Sequence, residues 1–73
     1  MSKVVCKIFG KNLRTLRLKK GLTQEQLGFE IDLDNSTIAK YEKNKRCPNL
    51  PAAKKIADFF GVTIDEMLKN SNQ

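Results

Sequence analysis

The apolar positions of this chain recur at helical spacing in short segments that end at glycine or asparagine. Phe9, Leu13 and Leu16 fall at positions i, i+4 and i+7, so they lie on one face of a predicted first helix. Gly21 follows this segment and is a residue that commonly ends a helix. Residues 4–8 either extend the helix backwards or form a short extended arm, and the pattern is compatible with both.

Two sequence patterns predict where further helices begin. Thr23 is followed three residues later by Gln26, and Thr63 by Glu66. In each pair the hydroxyl and the longer side chain can cap the same helix N-terminus reciprocally. These capping boxes predict a second helix over about 24–31 and a short last helix after Thr63.

Asp34 and Asn49 have side chains suited to cap two more helices. The helix after Asp34, over about 35–43, carries Ile38 and Tyr41 on its inner face. The inner face of the helix after Asn49 is formed by four apolar residues: Ala53, Ile56, Ala57 and Phe60. Residues that accept a left-handed backbone follow both helices: Asn44 and Gly61. The sequence therefore predicts five helices, no strand and an all-α bundle.

Size and composition argue against an enzyme. A chain of 73 residues has room for one modest core, which supplies about 3–5 kcal/mol of net stability. Histidine, the commonest general base and metal ligand, is absent. The remaining residues form no nucleophile with a base and an orienting partner. We expect neither catalysis nor a bound cofactor or metal.

The cysteines and the apolar runs bear on the cellular compartment. Cys6 and Cys47 are far apart and lack the spacing of metal or redox motifs. No apolar run approaches the roughly 18–20 residues needed to cross a bilayer. Residues 1–7 have too short an apolar stretch, and too early a charge, for a secretory signal. We interpret the chain as soluble and cytoplasmic. A disulfide between the cysteines stays open, but reduced thiols are favoured in that compartment.

Charge is arranged along the chain in blocks of one sign. The net charge is +6, and residues 1–20 and 43–55 contain lysine and arginine but no acidic residue. The segments 21–42 and 56–73 are acidic on balance. Such a polarised surface suits a polyanion such as nucleic acid, and the alternative is a solvated surface that only maintains solubility.

Only residues 32–34 join the predicted second and third helices. A joint this short fits a helix-turn-helix, in which the second of the two helices lies in the DNA major groove, and it also fits an ordinary corner between helices. Motifs in a characteristic order occur along the chain: Leu13-Arg14-x-Leu16-Arg17, Gly21-Leu22-Thr23-Gln24-x-x-Leu27, Ser36-Thr37-Ile38-x-Lys40-Tyr41-Glu42, Lys45-x-x-Pro48 and Ile56-Ala57-x-x-Phe60-Gly61-Val62-x-Ile64-Asp65-Glu66-Met67-Leu68.

With these motifs, residues 9–68 resemble the Cro/repressor-type (XRE-like) helix-turn-helix domain. The resemblance implies an all-α, five-helix, lambda-repressor-like DNA-binding fold whose helix-turn-helix is formed by helices 2 and 3. It implies one domain over residues 1–73, with a core over 9–69, an N-terminal arm or helix extension over 1–8 and a frayed tail over 70–73.

The resemblance also implies two sets of DNA-binding residues. Four residues at the start of the third helix would contact base edges: Asn35, Ser36, Thr37 and Lys40. Their amide, hydroxyl, methyl and ammonium groups match donors, acceptors and thymine methyls in the major groove. Residues at both ends of the helix pair would bind phosphates: Thr23, Gln24, Lys43, Asn44, Lys45 and Arg46. The alternatives are helix capping for the threonines, Ser36 and Gln24, a phosphate contact for Lys40, and solvated charges for the basic run.

A partly buried salt bridge and a dimer surface are implied in the same way. Arg17 and Glu42 match a pair that links the first helix to the third and helps to orient it. Small proteins of this type bind palindromes as symmetric dimers, with half-sites about 10–10.5 bp apart or a multiple of this. The dimer surface is predicted at the C-terminal region: Phe59, Ile64, Met67 and Leu68. The alternative is that these residues fill the core of one chain.

The sequence departs from the family pattern at three positions. Asp32 stands where glycine usually makes the turn, so it must adopt a left-handed backbone or the turn must differ. Gly28 replaces the usual alanine. Glycine allows close contact between helices but costs about 1 kcal/mol in helix propensity. Phe29 replaces a polar residue. Local packing of Phe29 is favoured over a role in a partner surface.

These observations predict a sequence-specific regulator of transcription that binds double-stranded DNA. We expect a repressor that acts by occupying a palindromic operator as a homodimer, without a membrane partner or small-molecule ligand. One alternative is an antitoxin that represses its own operon, with Phe29 and residues 4–5 as the hints of a toxin-binding surface. Another is a basic adaptor for acidic proteins. An RNA-binding role is disfavoured because no exposed aromatic set for base stacking is evident.

Overall fold

The computed structural model describes residues 2–69, so the predicted frayed tail over 70–73 lies outside the described residues. Five α-helices and no strand occur within residues 2–69. In chain order they are α1 (Lys3–Lys19), α2 (Gln24–Ile31), α3 (Asn35–Glu42), α4 (Leu50–Phe60) and α5 (Ile64–Met67). The predicted all-α, five-helix fold is confirmed. Residues 4–8 belong to α1 and are not an extended arm.

The predicted capping boxes form at the starts of α2 and α5. Thr23 Oγ1 accepts from the main-chain N–H of Gln26 at 3.0 Å, and Gln26 Oε1 accepts from the N–H of Thr23 at 2.9 Å. Thr63 and Glu66 make the same pair of bonds at 3.0 and 2.8 Å. Each box satisfies N–H groups that the first turn of a helix leaves free.

Helix α3 begins differently from the other helices. Asp34 occupies its N-cap position as predicted, but within residues 2–69 the Asp34 side chain makes no cap hydrogen bond. The chain reaches this position through Asp32, whose φ of 58° and ψ of 48° are left-handed. Of the two possibilities that the sequence left for Asp32, the left-handed backbone is the one adopted.

The core lies where the five helices meet: α3 packs against α1 and α2, and α5 packs against α1 and α4. Its fully buried large side chains come from all five helices: Phe9, Leu13, Leu27, Ile38, Ile56 and Met67. Two glycines allow close approach of the backbone. A Cβ atom at Gly10 would collide with the main-chain carbonyl oxygen of Tyr41, and one at Gly28 would collide with that of Leu33. Gly10 therefore sets the spacing of α1 and α3, and Gly28 permits the tight joint between α2 and α3.

Two predictions about individual residues are wrong. Cys6 and Cys47 form a disulfide, with their Cα atoms 5.4 Å apart, instead of two reduced thiols. The packing of α1 against α3 brings the loop after α3 beside α1, at a Cα separation typical of disulfides. Phe29 does not pack locally, because its side chain is 86% exposed on the outer face of α2.

Candidate nucleic-acid interface

Helix α3 has one face in the core and one face in solvent. Ile38 is fully buried and Tyr41 is 3% exposed, so these two side chains fix the helix to the rest of the domain. Asn35, Ser36 and Lys40 are exposed on the opposite face. The structure therefore brings three of the four predicted base-contacting residues together on one accessible surface.

Thr37, the fourth predicted residue, is placed differently. Its side chain is half-buried and lines depressions on both sides of α3, one shared with Phe29 of α2 and one with Ala52 of α4. Less of Thr37 is therefore available to a ligand than of Asn35 or Ser36.

The C-terminal end of α3 is anchored by the carboxylate of Glu42. Arg17 Nε donates to Glu42 Oε2 at 2.7 Å, and Arg17 Nη2 donates to Glu42 Oε1 at 2.9 Å. The two side chains are 9% and 2% exposed. The hydrogen bond to Glu42 raises the pKa of Arg17 above its usual value, although burial acts in the opposite direction. A bidentate pair of this kind fixes orientation as well as distance.

The same carboxylate also positions Gln24. Gln24 Nε2 donates to Glu42 Oε1 at 3.1 Å, while the third Arg17 nitrogen donates to the carbonyl oxygen of Leu22 at 2.8 Å. Gln24, at the first turn of α2, is therefore tied to α1 and α3 through one shared group. Sequence reasoning missed this contact because the two partners lie far apart in the chain, and no local spacing signals it.

The predicted phosphate-binding residues after α3 form an exposed turn. Lys43, Asn44, Lys45 and Arg46 are all exposed. Asn44 has a φ of 59°, and the N–H of Lys45 donates to the carbonyl oxygen of Lys40 at 2.8 Å. This left-handed helix end folds the loop back beside the end of α3. The basic side chains of the loop are therefore presented next to the C-terminal end of the helix.

The predicted dimer surface is only partly available. Met67 is 1% exposed within the single chain, so it fills the core and offers no area to a partner. Phe59, Ile64 and Leu68 pack against the core but are only partly buried. The Phe59 ring lies edge-on to Phe60, with their centroids 5.1 Å apart. Met67 drops out of the predicted surface, because α5 is so short that its inward face is used entirely by the fold.

Other kinds of site find no support in the part of the chain that the structure describes. Within residues 2–69, no group of cysteine and acidic side chains is arranged to bind a metal ion. None of the described helices has the length and apolar character that a membrane span needs.

The family profile described as helix-turn-helix matches residues 13–67, from the middle of α1 to the end of α5. The chain belongs to the XRE-type helix-turn-helix family. This is a family of DNA-binding regulators of transcription and not a class of enzymes. The matched stretch of this helix-turn-helix domain includes every residue of the predicted base-contacting and phosphate-binding sets.

Several relatives of this domain carry the names of regulators. The HTH-type transcriptional activator BcrR of Enterococcus faecalis is 45% identical over 60 residues, which are 82% of this chain and 29% of BcrR. The cryptic phage CTXphi transcriptional repressor RstR of Vibrio cholerae is 34% identical over 64 residues, which are 88% of this chain and 58% of RstR. The chain thus spans less than two thirds of either relative.

A shorter relative and a solved structure are also similar to this chain. The control protein C.BamHI of Bacillus amyloliquefaciens is 36% identical over 62 residues, which are 84% of this chain and 76% of C.BamHI. The crystal structure of the DNA-binding domain of BldD superposes with a TM-score of 0.80 at 27% identity. The superposition covers 94% of this chain and 100% of the BldD chain.

Proposed function

We propose that this chain regulates transcription by binding a specific sequence of double-stranded DNA, with the exposed face of α3 in the major groove. The observation that carries the proposal is the division of α3 into an anchored face and an exposed polar face. Ile38, Tyr41 and Glu42 fix the helix, while Asn35, Ser36 and Lys40 face outwards. A rigid helix that presents short polar side chains is suited to contact base edges.

The base-contacting residues have complementary chemistry. Asn35 offers an amide that can pair with both major-groove groups of adenine. Lys40, one turn further along, donates to guanine acceptors, and Ser36 can donate or accept. Thr37 contributes its methyl group at the edge of this surface, consistent with its half-buried position.

The phosphate contacts lie at the two ends of the helix pair. Gln24 and Thr23 stand at the N-terminus of α2, where free N–H groups and the helix dipole favour an anion. Lys43, Asn44, Lys45 and Arg46 follow α3 and would contact the backbone on the other side of the groove. Such contacts set affinity and register and do not select a sequence.

We further propose that the domain acts as a dimer on a palindrome and represses transcription by occupying the operator. Phe59, Ile64 and Leu68 supply the apolar contact surface. The name of RstR supports repression, whereas BcrR is named an activator. A reporter fused to the bound promoter decides the sign, because a repressor lowers its expression. Sedimentation with and without DNA decides the stoichiometry.

The main experiment is selection of bound sequences from a random pool of duplex DNA, repeated at two salt concentrations. The expected result is a palindromic consensus whose affinity falls steeply as salt rises. The double variant Asn35→Ala/Ser36→Ala is the matched control, because it leaves the charge and the buried face of α3 unchanged. A pool that stays unenriched with the folded wild-type protein would overturn base-specific binding.

A further inference from the structure

Helix α1 carries three exposed basic residues on the side that faces the end of α3. Gly10 marks this side, because its backbone contacts Tyr41 and Glu42. Lys3 and Lys7 precede Gly10 by two turns and one turn, and Arg14 follows it by one turn, so the three share a helix face with Gly10. All three side chains are exposed, so they flank the helix contact and reach past it into solvent.

The disulfide attaches this side of α1 to the loop after α3. Cys6 directly precedes Lys7, and Cys47 directly follows Arg46. Because the Cα atoms of the two cysteines are 5.4 Å apart, the basic residues of the helix and of the loop adjoin. Neither residues 1–20 nor residues 43–55 contain a carboxylate. The two adjoining segments therefore contribute only positive charge to the surface that they form.

We propose that the N-terminal half of α1 is a second binding site for the DNA backbone, in which Lys3 and Lys7 contact phosphates outside the base pairs that α3 contacts. This proposal rests on the proposed function and extends the interface beyond the helix-turn-helix. The loop 43–46 already lies at the phosphate-binding end of α3, and the disulfide places α1 beside it. A DNA backbone that meets the loop is therefore brought to the adjoining turns of α1.

The test compares two double variants that remove the same charge. Lys3→Gln/Lys7→Gln changes the proposed site. Lys19→Gln/Lys69→Gln is the control. Lys19 lies on the side of α1 opposite Gly10, where it lines a depression with Met67 and Glu66, and Lys69 follows α5. Affinity for the selected duplex is measured by fluorescence anisotropy at several salt concentrations, with circular dichroism to verify folding.

The site variant should make the negative slope of log K against log salt less steep by about 1.8, because each phosphate contact contributes about −0.9. Its affinity near physiological salt should fall by roughly tenfold or more, with the order of preferred bases unchanged. The control variant should keep the wild-type slope. Equal slopes for the two variants would overturn the proposal. If the wild type itself selected no sequence, the proposed function would fail instead.

The disulfide gives a second and independent measurement. A small-molecule dithiol reduces the bond, passing two electrons and two protons to the Cys6 and Cys47 sulfurs while it closes its own disulfide. Cys47 is exposed, so Cys47→Ser opens the same link without disturbing the core. In both forms the loss caused by Lys3→Gln/Lys7→Gln should shrink several-fold. A loss of unchanged size would show that the disulfide does not position this site.

Discussion

The two halves of α3 differ sharply although they belong to one eight-residue helix. The first half, residues 35–37, is mostly exposed and begins after an N-cap residue whose side chain makes no cap bond within the described chain. The second half contains Tyr41 in the core and Glu42 in a network with Arg17 and Gln24. A surface that selects among ligands needs exposed side chains on a rigid backbone, and α3 supplies both.

The second half of α3 depends on contacts from outside the helix-turn-helix. Gly10 and Arg17 belong to α1, and they fix the backbone and the side chain at the end of α3. Substitutions at this end should therefore change stability and affinity together. Substitutions at the start of α3 should change sequence preference alone.

The largest effect is expected for Glu42→Ala. The change leaves the buried guanidinium of Arg17 without its carboxylate and releases Gln24. Breaking a buried pair costs about 3–5 kcal/mol, and we expect about 3 kcal/mol because Arg17 lies at the edge of the core. That loss is most of the stability of so small a domain, so the Tm in a circular dichroism melt should fall by more than about 10 °C. DNA affinity should fall as well.

Glu25→Ala is the matched control for Glu42→Ala, because Glu25 is exposed on the neighbouring α2. Its effect should stay within about 0.5 kcal/mol. An unchanged Tm for Glu42→Ala would show that the network does not anchor α3.

The next effect is expected for Gly10→Ala. Alanine favours a helix over glycine by about 1 kcal/mol. The new methyl group would nevertheless collide with the carbonyl oxygen of Tyr41, so α1 and α3 must separate. We expect a net loss of about 2 kcal/mol in urea unfolding, since overpacking costs about 1–3 kcal/mol or more. Lys11→Ala, at the adjacent exposed position, should be nearly neutral. A stabilised Gly10→Ala protein would contradict the close contact.

Asn35→Ala tests the other half of the helix. It should remove about 1–3 kcal/mol of discrimination at one base pair, while the free energy of unfolding changes by less than about 0.5 kcal/mol. Lys45→Ala is the contrasting variant, which should weaken binding to all sequences alike and make the negative salt slope less steep by about 0.9. Competition binding against single-base variants of the operator measures both. If Asn35→Ala also lowered all affinities uniformly, Asn35 would be assigned to the backbone.

Contacts between residues close together in the chain were predicted more reliably than contacts between distant ones. The capping box of Thr23 and Gln26 was predicted correctly because both partners lie within one turn. The bond between Gln24 and Glu42 and the disulfide between Cys6 and Cys47 were not, since each joins segments that only the fold brings together. Local patterns therefore identified α3 and its faces. Of the contacts that fix its second half, the salt bridge between Arg17 and Glu42 was implied by the family resemblance, and the bond from Gln24 was not predicted.

Burial of single side chains was the other limit on sequence reasoning. An apolar residue on a helix predicts packing, but the side chain of Phe29 is 86% exposed. Met67, assigned to a dimer surface, is used by the core instead. In both cases the geometry of the neighbouring helices decides burial, and this geometry is not encoded in the spacing of one segment.

The smallest effect is expected at Asp32, the joint through which α3 begins. A left-handed backbone is strained for residues with a Cβ, although less so for Asp. The carboxylate also stands at the negative end of the α2 dipole, which is unfavourable by about 0.3–1 kcal/mol. Asp32→Gly removes both the backbone strain and the unfavourable charge. It also costs about 0.5–1 kcal/mol, because glycine gives the unfolded chain more conformational freedom. We expect a net gain of about 0.5 kcal/mol, or a rise in Tm of roughly 2–4 °C.

Asp32→Ala separates the effect of the charge from the effect of the backbone strain. It removes the charge but retains a Cβ in the left-handed region, so it should be less stable than the glycine variant by about 1 kcal/mol. Neither change should alter DNA sequence preference, because Asp32 precedes the exposed face of α3 and leaves its anchored end untouched. An Asp32→Ala protein that melted above Asp32→Gly would show that the joint is not strained, because only the greater freedom of glycine in the unfolded chain would then separate the two variants. The position of Asn35 would then depend on the same contacts that fix the rest of α3, which are the packing of Ile38 and Tyr41 and the hydrogen bonds of Glu42.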